Sequence, residues 1–103
     1  MTGSDANLTT LTGYQSEAKR TINRALSDDQ RLLDASAGLA EEAGEVLAHV
    51  RKHLLQGRPL DRDAVTLELG DALWCLAIAA DTLGVTLAEV ARRNVEKLRS
   101  RFP

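Results

Sequence analysis

Cysteine, proline and aromatic side chains are nearly missing from this sequence. Its 103 residues hold one Cys, two Pro and one each of Trp, Tyr and Phe. A single cysteine, Cys75, excludes an internal disulfide, which fits a reducing cytoplasm. The shortage of aromatic and β-branched residues beside abundant Leu and Ala argues against a sheet and for helices. A formal net charge of -2 leaves no electrostatic footprint for nucleic acid. No apolar run reaches the length of a membrane span, and the N-terminus lacks a signal-peptide core. The expectation is therefore a soluble, cytoplasmic, all-α protein. At this length it forms one domain with one core.

Residues 1–7 are small and polar, so 1–8 read as a flexible start, leaving 9–103 as a single helical domain. Leu11, Tyr14, Ala18, Ile22 and Ala25 form an apolar stripe that predicts a first helix over 9–26. Ser27-Asp28-Asp29 offers N-cap chemistry for a second helix reaching about Gln56, where Gly57-Arg58-Pro59 ends it. Asp61 is the expected cap of a third helix, with Gly84 as its left-handed terminator. Thr86-x-x-Glu89 reads as a capping box opening the fourth. Four helices with short connections predict a four-helix, bundle-like fold.

Acidic residues interrupt the apolar pattern in two places, Glu41-Glu42-x-x-Glu45 and Glu68-x-x-Asp71. Residues three or four apart share a helix face, so each group projects together. Like charges on the apolar faces of packed helices repel and lose hydration. A hard divalent cation removes that cost by taking the carboxylate oxygens as ligands, which points to Mg²⁺ with Mn²⁺ as a substitute. Any single Glu on a helix is more often solvated, but the third helix has little polar surface with which to face water. Gly44 and Gly70 sit beside the acids at a cost of about 1 kcal/mol each relative to Ala, as expected where a backbone or ligand comes close. His49 can reach the edge of such a site, and His53 reads as a surface residue. The Glu-x-x-His pairs of a di-iron bundle do not occur.

The segments Gly38-Leu-Ala-Glu-Glu-Ala-Gly-Glu-Val46, Glu68-Leu-Gly-Asp-Ala-Leu-Trp74 and Asn94-Val-Glu-Lys-Leu-Arg-Ser-Arg101 together resemble the MazG-type all-α nucleoside triphosphate pyrophosphohydrolases. The resemblance runs from about Tyr14 to the end of the chain. It implies Glu42, Glu45, Glu68 and Asp71 as Mg²⁺ ligands, with Glu41 in the outer shell or orienting water. It further implies Asn94 and Lys97 at the triphosphate, with Lys52 in the same role. Trp74 reads either as a platform for base or sugar or as a packed core residue, and Arg101 as a further phosphate contact.

The implied reaction is hydrolysis of a (deoxy)nucleoside triphosphate to monophosphate and pyrophosphate in nucleotide-pool housecleaning. Competing readings are a narrower dUTP or dCTP pyrophosphatase and a non-catalytic oligomerisation or regulatory module that keeps the metal site. The third helix is apolar around most of its circumference, more than three neighbours from one short chain can cover. A homo-oligomer is expected, either a dimer or a tetramer built from two dimers.

Overall fold

Each helix starts where a side-chain oxygen can accept a backbone N–H that the helix itself leaves unpaired. The computed structural model describes residues 8–103, so the flexible start expected for 1–8 lies almost wholly outside the described residues. The Thr10 hydroxyl accepts from Gly13 N–H and opens α1, Leu11–Lys19. At α2, Asp28–Gln56, Ser27 and Gln30 exchange side-chain and backbone hydrogen bonds in a full capping box. Asp61 accepts from Ala64 N–H and opens α3, Arg62–Thr82. Thr86 accepts from Glu89 N–H and opens α4, Leu87–Arg101. Gly57 and Gly84 adopt positive φ, 66° and 75°, where an L side chain is strained. The described residues are all-helical, as the composition predicts.

Two local expectations are corrected. The first helix stops at Lys19 rather than near Leu26. Thr21 Oγ1 donates back to the Ala18 carbonyl and accepts from Trp74 Nε1, so the chain is diverted into turns closed by the Asn23 side chain on Ala25 N–H. The box at Thr86 is only half made. The Glu89 carboxylate takes Arg92 and Arg93 instead, and these guanidinium groups hold it down at about pKa 2.

α2 and α3 lie side by side as antiparallel partners: His49 faces Glu68, Glu42 faces Asp71, and Gly38 faces Cys75. The α1 helix packs on α3 and α4, and α4 touches α1 and α3 but not α2. The core sits where α1, α2, α4 and the C-terminal half of α3 meet, and consists of Ala18, Ala35, Cys75, Ala77, Ile78, Ala80 and Leu87. Small side chains at most of these positions let the backbones approach closely. Gln15 is buried among them with its amide satisfied, donating to the carbonyls of Ala77 and Val85 and accepting from Leu87 N–H. That amide ties α1 to the α3–α4 turn.

Much apolar surface stays outside this core. Leu67, Leu69, Leu73 and Leu76 on α3 are exposed, as are Leu47, Leu54 and Leu55 on α2. The radius of gyration, 16.0 Å, exceeds the roughly 13 Å of a closed domain of this length. Every residue of α4 from Arg92 onward is exposed, and the helix leaves α3 at an angle of 100°. Among the described residues no single helix is long and apolar enough to cross a membrane.

Candidate metal centre

The antiparallel register of α2 and α3 sets the acidic groups against one another. Glu42 comes from the middle of α2, and Glu68 and Asp71 come from one turn of α3. One carboxylate oxygen of each lies within 4.8 Å of the other two. Glu42 and Glu68 are half-buried, and Asp71 is exposed. A proton shared with Glu68, then burial, then the charges of Glu68, Asp71 and Glu41 push the Glu42 carboxyl up from 4.5 to about 7. Glu42 Oε2 is buried and has no hydrogen-bond partner. Among the described residues no Lys or Arg forms an ion pair with Glu42, Glu68 or Asp71; the nearest base is His49, whose Nε2 lies 4.0 Å from Glu68 Oε1.

An orphaned carboxylate oxygen inside an all-oxygen cluster fits a hard divalent cation, which would supply the positive charge the chain itself does not. The fit also explains why the cluster persists without a basic partner.

The sequence-predicted ligands divide three to one. Glu42, Glu68 and Asp71 converge, whereas Glu45, one turn further along the same face of α2, is exposed and outside that 4.8 Å group. Glu41 is exposed, and its charge acts on Glu42 and Cys75. Trp74 packs against the core, its Nε1 donates to Thr21 Oγ1 at 2.8 Å, and it lines the cleft beside the acids. Lys52 lies ten residues beyond Glu42, about 15 Å along the helix axis, in a hollow with His49, Arg58, Pro59 and Asp61. Asn94, Lys97 and Arg101 occupy the exposed part of α4 and do not line the cleft of their own chain. No neighbour within the chain approaches the two glycines beside the acids, since nothing lies within 4 Å of a Cβ built on Gly44 or Gly70. The tight position is Gly38, where a Cβ would stand 2.9 Å from Cys75 Sγ.

The cleft has a volume of about 240 Å³ and is lined by Asp34, Gly38, Glu42, Asp71, Trp74 and Cys75. Three of these, Asp34, Gly38 and Cys75, escaped the sequence reading. A signal was present, since Asp34, Gly38 and Glu42 recur every four residues on one face of α2. Burial, followed by the charges of Glu42, Asp71, Asp34 and Glu41, raises the Cys75 thiol pKa; burial and then Asp71 raise that of the Tyr14 phenol. A larger hollow of about 370 Å³ lies at the α1–α3–α4 junction, where Gln15 is satisfied and Lys19 pairs with Asp81 at 3.1 Å.

Comparison with known proteins places this arrangement. The Gene 37 protein of Mycobacterium phage L5 is 41% identical over 68 residues, covering 62% of this chain and 60% of the phage protein. The uncharacterized protein YvdC of Bacillus subtilis (strain 168) is 36% identical over 73 residues, covering 62% of this chain and 69% of its own length. The chain thus spans about six-tenths of the phage relative it matches. No solved structure matches it. The model of the MazG nucleotide pyrophosphohydrolase domain matches residues 30–103, which include both acidic groups and the whole of α4. The chain belongs to the MazG nucleotide pyrophosphohydrolase domain family.

Proposed function

We propose that this protein is a Mg²⁺-dependent pyrophosphohydrolase that converts (deoxy)nucleoside triphosphates to monophosphates and pyrophosphate in the cytoplasm, serving nucleotide-pool housecleaning. The observation that carries the reading is the orphaned Glu42 Oε2 facing Glu68 and Asp71 in an open cleft, in a chain of this family. Glu42, Glu68 and Asp71 would hold the cation, with Glu45 joining them by a change of side-chain rotamer from the adjacent turn. When bound, the cation neutralises phosphate oxygens and lowers the pKa of a bound water. Glu41, exposed at the rim, would orient the attacking water and accept its proton. Trp74 would present its face to the sugar or base at the closed side of the cleft. Mn²⁺ shares the preference for oxygen ligands and would substitute.

The phosphate donors assigned by resemblance, Asn94, Lys97 and Arg101, stand on a helix that does not touch α2 in its own chain. The lysine and arginine would add positive charge, and the asparagine a donor, where negative charge builds on the transferring group, provided a second copy brings α4 across. Exposed Leu69, Leu73 and Leu76, in helical register on α3, favour such pairing by a self-complementary patch. The assembly is therefore a homodimer or a pair of dimers, with Lys52 of α2 at the outer end of the phosphate path.

The test is pyrophosphate release from a panel of ribo- and deoxynucleoside triphosphates with Mg²⁺, with Mn²⁺ and with a chelator, alongside light scattering. Release that needs the metal, from an oligomer, is the expected result. An oligomer that binds the metal but turns over no triphosphate would identify the non-catalytic module instead. A stable active monomer would remove the role given to a second copy.

A further inference from the structure

The cleft extends well beyond the acids, and its far end carries a carboxylate that the metal chemistry does not use. Asp34 lies eight residues before Glu42 on the same face of α2, about 12 Å along the axis. It lines the cleft, and among the described residues its carboxylate takes part in no hydrogen bond or ion pair. Between the two acids stands Gly38, whose missing side chain leaves open the floor formed by Cys75. Trp74 makes the adjacent wall. The cleft therefore has a charged inner end, an uncluttered middle with an aromatic wall, and a single acceptor at the outer end.

Taking the pyrophosphohydrolase reading as its basis, we propose that Asp34 selects the nucleobase, favouring bases that present an exocyclic amine, and among pyrimidines cytosine over uracil. An ionised carboxylate accepts hydrogen bonds and donates none. The cytosine N4 amine meets that requirement, as in the known pairing of Asp or Glu with cytosine. Uracil places a carbonyl oxygen at the same position, so two acceptors would face each other and one would be left without a partner. Phosphates held at the acidic end would put the base over Gly38 and Cys75, with its edge toward Asp34. Selection then rests on one polar contact at a half-open site, which sets its size at about tenfold to a hundredfold.

The experiment compares kcat/KM for dCTP and dUTP in the wild type, Asp34→Asn and Asp34→Ala, with calorimetric binding of dCMP and dUMP to the same three proteins. Asp34 is exposed, so the variants should fold, and circular dichroism melts verify it. The expected result is a dCTP preference of about tenfold or more in the wild type, collapsing in both variants. Asparagine, which carries both a donor and an acceptor, should bring dUTP up as well as dCTP down. A wild type indifferent to the two bases, or a preference that survives in Asp34→Asn, overturns the assignment while leaving the hydrolase reading intact. If no triphosphate is cleaved, the hydrolase reading fails and the monophosphate titrations decide this one. A dCMP preference lost in Asp34→Asn supports the role of Asp34, and equal or undetectable binding of both refutes it.

Discussion

The two halves of α3 differ in composition and in surroundings. From Cys75 to Ala80 the helix carries Cys75, Ala77, Ile78 and Ala80, all buried against α1, α2 and α4. From Arg62 to Leu73 it carries Val65, Leu67, Leu69 and Leu73, and the leucines remain exposed, Leu67 at 71%. Neighbours of the same chain cover Ile78 and the alanines of the second half, though Leu76 stays 43% exposed there, and leave the leucines of the first half bare. The acidic pair Glu68 and Asp71 belongs to the uncovered half. One end of the helix therefore holds the fold together, and the other presents the chemistry with apolar surface around it. A site built on the less buried half would leave room for the substrate and the second subunit of the proposed function.

The sharpest way to break this comparison is to damage each half separately. Asp71→Ala should lower turnover by more than about a hundredfold, since even residues that merely orient metal ligands cost 10–100-fold. Its helical circular dichroism should stay near wild type, because Asp71 is exposed. Near-normal activity at saturating Mg²⁺ would remove Asp71 from the metal centre. Ile78→Ala strikes the other half, where the side chain is 1% exposed. It should cost about 2–5 kcal/mol in chemical denaturation, through lost burial and the cavity left behind. Leu69→Ala, at 55% exposure, should change the stability of the isolated fold by only about 0.5 kcal/mol. Its effect should appear in light scattering as weakened association.

The glycines sharpen the same contrast at smaller magnitude. Gly38→Ala forces a Cβ to within 2.9 Å of the buried Cys75 sulfur and should destabilise by about 1–3 kcal/mol. The double variant Gly38→Ala with Cys75→Ala should recover part of that loss. Gly44→Ala meets nothing within 4 Å and should stabilise the metal-free chain by up to about 1 kcal/mol, through helix propensity alone. A loss at Gly44 would mean that a ligand or second subunit needs the open space there.

The smallest effect concerns pH. Glu42 in the folded protein titrates at about 7 against its ordinary 4.5, mainly through the proton shared with Glu68. Raised in the folded state, it contributes stability that is complete below about pH 4.5 and is lost as pH rises through 7. Metal-free melting temperatures should accordingly drift down over that interval. Saturating Mg²⁺ should flatten the drift, since the cation takes the place of the proton. Glu89 acts in the opposite sense and in a different window: its depressed pKa of about 2 contributes stability above pH 4.5 that is lost on acidification toward 2. An unchanged slope with and without Mg²⁺ would separate the acidic cluster from the cation.

Local chemistry was legible from the sequence because its partners lie within four residues. The caps at Ser27, Asp61 and Thr86 and the left-handed glycines 57 and 84 each depend on a short stretch of chain, and each stands where the pattern placed it. The helix-face grouping of Glu68 with Asp71 follows from the 3.6-residue turn by the same logic. The exceptions involve distant partners. The first helix ends early at turns in which Thr21 meets Trp74, 53 residues away. Which acids meet was decided by the register of α2 against α3, which brings Glu42 to Glu68 and Asp71 and leaves Glu45 a turn away. That register also put Cys75 under Gly38 and opened a cleft reaching Asp34, which helical periodicity alone could not single out. The sequence by itself determined four helices, their ends except the C-terminal end of α1, and the faces that carry charge, because backbone hydrogen bonds and side-chain spacing are local. Only the tertiary structure decided how α2 and α3 align, where α4 points and which leucines remain bare, because these depend on side chains far apart in the chain packing into one space.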